Sequence, residues 1–407
     1  MYNVGFGDCF LLRIPTKDGE RRMLVDCGYH SQGQGEFDDK TLVNQIAEDL
    51  AGETLHVVVA THRHQDHISG FGEADLWTDI GVEEVWLPFT AHPDAAKEDP
   101  ALRAWHGLMN SAAEFLTPKG KLTDAANAAL GLRDEQERAA AEFMLWNARA
   151  NAPGIQNLLT GMTRRDGGAA KRRFLPEDKR FPSEVVTSAL PGVTTHVIGP
   201  PRDPALRKAR KVPPSWGVAE GAGTPGADLA SPFESEWRVP PDRLPGKRPF
   251  KDTTLETLRS FNDDLLRAAK AVDGFLNGES LVLVLDFGSA RLLLPGDAEV
   301  GTWSAILANP DALALAAGAT FLKVGHHGSH NATPLVFVRE YIARRTLAAI
   351  STQQGKGKFR NGIPFAELLT TMDKRELRYV RSDNAVRNKG IFEPEKNDRW
   401  VDCVIPC

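Results

Sequence analysis

The stretch ATHRHQDHISGFG (60–72) holds three histidines and an aspartate within six consecutive residues: His62, His64, Asp66 and His67. Imidazole and carboxylate are the ligand types that divalent cations of borderline softness take, usually three or four at a time. On a tight loop after a strand, alternate residues can point into one cavity. His62 and His64 are therefore spaced to grip one ion, and Asp66 with His67 to serve a second beside it. A two-ion site also needs a bridging carboxylate and ligands from distant strands. LLLPGDAE places Asp297 at the end of an apolar strand, after a glycine that lets the backbone turn sharply. VGHHGSH, about thirty residues on, offers His326, His327 and His330 in the same kind of place. A lone Gly-Asp is ordinarily a turn, but the second His-rich strand end favours a ligand.

These residues need strands beneath them. LHVVVATH is a continuous β-branched run, a buried strand ending at the first motif. VGFGDCFLLRI and RRMLVDCG form a strand pair, DDKTLVNQIAEDL a helix capped by aspartate, and VEEVWLP a further strand. In the second half ESLVLVLDFGSARLLLPGD reads as a hairpin joined at FGSA. A helix over WSAILANPDALALAAG, the strand TFLKVGHHGSH, the strand LAAIST, a helix at PFAELLTTMD and the strand LRYVRS follow. The middle differs. Residues 94 to 160 are Ala-rich with helical periodicity, notably RDEQERAAAEFMLWNARA, and 203 to about 250 are rich in Pro and Gly. TTHVIGPPRD is a strand between them, and TTLETLRSFNDDLLRAAKAVDGFL an amphipathic helix after them. The expected division is 1–93 for the first half of a core, 94–250 for an insertion with a core strand near 193–199, and 251–407 for the second half. A rough two-fold rhythm of hairpins followed by helices suggests two similar halves.

The 407 residues suffice for one large domain or two, with 42% apolar and 25% charged residues, ordinary globular values. No apolar run is long enough for a membrane-spanning helix, and the N-terminus lacks a signal peptide's basic start. Cys9, Cys27, Cys403 and Cys407 are too scattered for a disulfide framework, which fits a reducing, cytoplasmic setting. The net charge of −5 argues against a basic nucleic-acid magnet. Basic clusters at 164–173, 207–211, 344–345 and 356–360 read as solvated loops; convergence on the site would favour an anionic substrate.

The order HxHxDH, Gly-Asp, strand-end histidine is similar to that of the metallo-β-lactamase fold, and LVDCG matches that family's early strand, whose aspartate (Asp26) is structural. NVGFGDCFLLRI, NGESLVLVLDFGSARLLLPGDAE, FLKVGHHGSHNAT and the ISTQQ segment resemble the hydrolase domain of the DNA-uptake protein ComEC and its soluble relatives. The likeness covers roughly the first ninety and the last hundred and thirty residues. It implies an α/β, four-layer αββα sandwich carrying a large helical and Pro/Gly-rich insertion. It also implies His62 and His64 on a first metal, Asp66 and His67 on a second, Asp297 bridging, and His326 completing the second site. His327 and Ser329, with His330 beside them, are then nearer to substrate, with Asp66 and His327 as the catalytic pair. Two features depart from the family. A further histidine ligand, for which His92, His106 and His196 are the candidates, is not evident, and His196 reads as a strand-surface residue. The Gly-His-Pro after the ISTQQ-like strand is replaced by Asn361, Gly362, Ile363, Pro364.

The implied activity is a metal-dependent hydrolase, a phosphodiesterase or nuclease. Two divalent cations, zinc by ligand type and with manganese or iron compatible, lower the pKa of a shared hydroxide. The implied substrate bears phosphate, as a small phosphodiester or single-stranded nucleic acid. A carboxyl-ester or thioester hydrolase of the same fold is one alternative. The other is a non-catalytic metal-binding module whose 94–250 insertion holds a protein partner.

Overall fold

In the computed structural model, residues 1–30, 35–99, 152–207, 274–354 and 362–407 are described, with scattered positions between them. His106, the basic segment 356–360, and most of the helices expected at 133–150 and 253–276 lie outside the described residues, as does most of 203–250.

Two sheets organise the chain. The first has the order β1-β2-β3-β4-β5, from β1 (Cys9–Thr16), β2 (Gly19–Cys27), β3 (Leu55–Val59), β4 (Val82–Pro88) and β5 (Lys171–Leu175). β1 and β2 form an antiparallel hairpin, and β2 through β5 run parallel. The second has the order β12-β11-β10-β9-β8-β7-β6. Its strands are β6 (Ser183–Val185), β7 (Thr194–Gly199), β8 (Val282–Phe287), β9 (Ala290–Leu294), β10 (Phe321–Lys323), β11 (Leu347–Ile350) and β12 (Arg378–Arg381). A small hairpin, β13 (Phe392–Pro394) with β14 (Val401–Cys403), forms a separate two-stranded sheet whose Phe392 and Val401 join the core between the two large sheets.

Strand alternation assigns each face to a layer. Val57 and Val59 point between the sheets, joining Met23, Val25, Leu283, Leu285, Leu292 and Leu294 in one buried cluster. Val58 points the other way, onto Leu42, Val43 and Ile46 of helix α1 (Asp39–Leu50). Val282 and Val284 likewise turn from the inter-sheet core towards Trp303, Ile306, Leu368 and Met372. These belong to α3 (Val300–Ala308) and α5 (Ala366–Lys374), numbered after the single-turn α2 (Gln65–Ile68). Helix, sheet, sheet, helix: the αββα sandwich is observed. Each fully buried valine or leucine contributes about 1.5–3 kcal/mol to it.

The apolar stretch 303–318 differs from the single helix expected there. It is two helices, α3 and α4 (Pro310–Ala317), because Pro310 has no N–H with which to continue α3. The Asn309 side chain restarts the helix, accepting from the amides of Asp311 and Ala312 at 3.0 and 2.9 Å. The basic cluster 164–173 is also not a solvated loop throughout, since its last residues open β5. There Arg173 donates to buried Glu84 at 2.9 Å and to Glu177 at 3.0 Å. The Arg172 guanidinium caps the carbonyls of Leu158, Ala170 and Met162. Buried Glu84 needs those partners to remain charged, so these guanidiniums hold structure.

The chain divides into two compact units, Met1–His92 with Asn151–Gly223 and Asn277–Cys407, and Pro93–Ala150 with Thr224–Leu276. Both sheets lie in the first. No helix among the described residues is long and apolar enough to cross a membrane. All four cysteines are free thiols.

Gly28 follows β2 where the backbone meets the HxHxDH loop. A Cβ there would lie 2.6 Å from the Asp66 carbonyl carbon and 2.7 Å from the His67 nitrogen. Gly28→Ala is therefore expected to cost about 1–3 kcal/mol through overpacking, read as a lower urea midpoint. An unchanged midpoint would show that the loop yields freely.

Candidate metal centre

The first motif leaves β3 and turns at once into α2, which aims its side chains across the strand ends. Thr61 anchors the turn, its amide and hydroxyl both donating to Asp26 at 2.7 Å. His62 and His64 bring Nε2 and Nδ1 to 2.9 Å of each other. His67 is fully buried between two carboxylates, Asp26 Oδ2 at 2.8 Å from Nδ1 and Asp297 Oδ2 at 3.0 Å from Nε2. Asp26 is at the end of β2 and Asp297 follows β9, so this one imidazole joins the two sheets.

The second His-rich segment is strained. His326 and His327, with φ of 46° and 54°, both adopt left-handed backbone, as does Asp26 at 57°. Such residues cost about 1–3 kcal/mol each and persist where the surroundings over-determine them. The His327 ring shows how: Nδ1 meets the Ser351 carbonyl at 3.0 Å and Nε2 meets Asp66 Oδ2 at 3.2 Å. His326 points elsewhere. Its Nε2 is 3.9 Å from Asp297 and its Nδ1 3.5 Å from Glu299, with the side chain 21% exposed against 4% for His327.

Among the described residues, three groups bring their candidate ligand atoms within 4.8 Å of one another: His62, His67 and Asp297; Asp66, His67 and His327; and Asp8, Asp26 and His67. Residues 2–200 match the metallo-beta-lactamase superfamily model. The matched region spans the first sheet and the HxHxDH loop. A search of curated proteins gave no match. Most metallo-beta-lactamase superfamily proteins are metal-dependent hydrolases, and the clustered histidines and aspartates here are of the kinds that bind divalent cations.

The local chemistry fits such an ion. The Ser351 carbonyl accepts from His327 Nδ1, which leaves Nε2 as the atom facing Asp66. A lone pair against a carboxylate oxygen needs a proton or a cation between them. The same holds for His67, whose Nδ1 is committed to Asp26. Burial pushes His62 well below its usual pKa, and the neighbouring His67 and His64 add to this. It therefore stays neutral, with a lone pair available for coordination. Burial alone would raise Asp66, but His67, His327 and His64 hold it well below the usual carboxylate range. Asp297 is lowered in the same way against its burial, by His67, His326 and Lys323. His67 is raised well above its usual value despite burial, by Asp297, Asp26, Asp66 and Asp8. The excess buried negative charge is what a divalent cation would balance.

His62, His64, Asp66, His67, Asp297 and His327 are thus drawn together, and His326 stands at their edge. Ser329 is buried, but its hydroxyl donates to Asn331 Oδ1 at 2.7 Å. His330 lies edge-on to Phe365, ring centroids 6.1 Å apart. His196 sits on β7 opposite Glu184, and His92 lies edge-on to Phe174, neither within the ligand groups. Two residues were missed by sequence reasoning: Asp8, in the turn before β1, and Lys323, which contacts it. Their signal was a lysine inside the buried strand FLK and an aspartate within the Gly-rich GFGD.

A histidine with raised pKa stabilises the fold fully below its unfolded value, about 6.5, and progressively less as pH rises through its folded value. The lowered aspartates contribute no slope there, since their stabilisation is lost only in acid. Chelator-treated protein should therefore lose thermal stability between pH 7 and 9, and His67→Gln should flatten that slope. A flat profile in the chelated wild type would contradict the charge assigned to His67.

Proposed function

We propose that this chain is a phosphodiesterase or nuclease of the ComEC-like type, working with two divalent cations, zinc foremost. The observation that carries the hydrolase reading is the pair of ligand groups sharing His67, one holding Asp66 and the other Asp297. A purely structural ion has no need of a second carboxylate beside a first. His62, His64 and Asp297 would hold one cation, and Asp66, His67 and His327 the other, with Asp297 between. Such cations supply a water of lowered pKa and neutralise charge developing on the transferred group.

The chain's own groups do the rest. Asp66, ionised and buried, orients the attacking water. Asp26 and the Ser351 carbonyl fix the tautomers of His67 and His327, the outer contacts that orient metal ligands. His327 thus takes the ligand place expected of its neighbour. His326, more exposed and beside Glu299, takes the substrate-facing role. Support for a phosphodiester comes from the four ComEC-like segments. The guanidiniums of Arg172 and Arg173 are spent inside the fold and lend it none.

Purified protein with added zinc or manganese should hydrolyse bis-p-nitrophenyl phosphate or single-stranded DNA. Asp66→Ala should lower turnover by at least about 100-fold, the scale of a reacting group left out of position. His327→Ala should lower bound metal, and His326→Ala should reduce turnover with metal content retained. Turnover insensitive to Asp66→Ala would sink the mechanism. Activity confined to carboxyl esters or thioesters would overturn the substrate class.

A further inference from the structure

Lys323 closes β10, a three-residue strand buried along its length. Phe321 points between the sheets and Leu322 into the helix layer. Alternation therefore sends Lys323 inward, at the strand end that faces the candidate ligands. A lysine is rarely buried without paired charge, and this side chain is 5% exposed. Its ammonium contacts Asp8 Oδ2 and lies 3.4 Å from Asp297 Oδ1 and 3.2 Å from the Gly296 carbonyl. Asp297 Oδ1 also accepts the His326 amide at 3.1 Å, so two donors occupy that oxygen. Only Oδ2 faces His67, at 3.0 Å. Asp8, for its part, donates its amide to the Asp66 carbonyl at 3.0 Å and accepts from Gly28 at 3.2 Å. Lys323 therefore links a chain of contacts running from the loop that carries Asp66, through Asp8, to Asp297.

We propose that Lys323 is a positioning residue for the metal centre. It is a resident cation that holds Asp297 as a single-oxygen ligand through Oδ2 and ties it to the Asp66 loop through Asp8. This rests on reading the six clustered residues as metal ligands. It goes further in assigning to Lys323 and Asp8 a role in coordination geometry without direct contact with metal. Two demands on the ligand set are met together. Asp297 cannot swing to chelate through both oxygens, and the carboxylates of the two sheets are kept at fixed separation. Lysine suits the task, since its compact ammonium on a flexible stem can meet three oxygens at once.

The test is cobalt(II) titration followed by visible absorption, whose bands report coordination number and geometry at the ion. Wild type should bind cobalt with a defined ligand-field spectrum. Lys323→Met with Asp8→Asn, which removes both charges and leaves neither buried alone, should keep its circular dichroism and melt cooperatively. It should nevertheless bind cobalt at least about ten-fold more weakly and with altered bands. Lys323→Arg with native Asp8 should restore most of the wild-type spectrum. A double variant with wild-type spectrum and affinity would overturn the proposal, as would an arginine variant no better than the double variant. Failure of wild type itself to bind cobalt would overturn the metal-centre reading instead, which separates the two.

Discussion

His67 clamped between Asp26 and Asp297 is the contact on which the rest of the centre depends. Its Nδ1 is held by the aspartate closing β2 and its Nε2 by the aspartate following β9, at 2.8 and 3.0 Å. With the Asp66–His327 and Asp8–Lys323 contacts beside it, this ring gives direction to the alignment of two sheets whose shared layer is mainly non-directional hydrophobic packing. Sliding one sheet on the other would cost little in apolar burial but would pull the buried His67 ring off one of its two carboxylates, breaking a buried charge-assisted hydrogen bond. The four-layer core supplies the bulk of the stability, and the clamp sets the register in which that core is useful.

Strain is concentrated at the same place. Asp26, His326 and His327 take left-handed backbone that only glycine adopts readily. Gly296 makes its own turn with φ of 54°, and a Cβ there would lie 2.9 Å from Thr61 Cβ. These turns swing ligand atoms over the strand ends instead of along them. The ring of His327, wedged between the Ser351 carbonyl and Asp66, gives back part of what its backbone costs. Loops from both sheets therefore meet above the ends of parallel strands, where a short segment can present several side chains to one volume.

Much of this was legible in the sequence, for identifiable reasons. The continuous run LHVVVA and the hairpin LVLVLDFGSARLLL announce buried strands because both faces are covered by other layers. Ligand types packed at short spacing announce metal chemistry because few other constraints favour them together. The region from 171 to 199 was only partly readable. β7 was expected there, but β5 is basic, with Arg173 paired to Glu84 and Arg172 hydrogen-bonded to the Leu158 carbonyl, both partners remote in sequence. The relative burial of the adjacent His326 and His327 was equally out of reach. Their identities are the same, and only the folded backbone, left-handed at both, shows His327 to be the more buried. Lys323 was hidden because a lysine in an apolar strand is ordinarily read as an exposed end.

The central claim is that Asp66 and His327, brought together from opposite halves of the chain, hold a metal ion beside the one at His62 and His64. Anomalous X-ray diffraction at the zinc absorption edge, from crystals grown with zinc, tests it most directly. The account predicts two peaks, one against His62 and His64 and one against Asp66, His67 and His327, both within reach of Asp297 Oδ2. No anomalous peak in the cluster, or peaks that leave Asp66 and His327 uncoordinated while His326 binds, would contradict it.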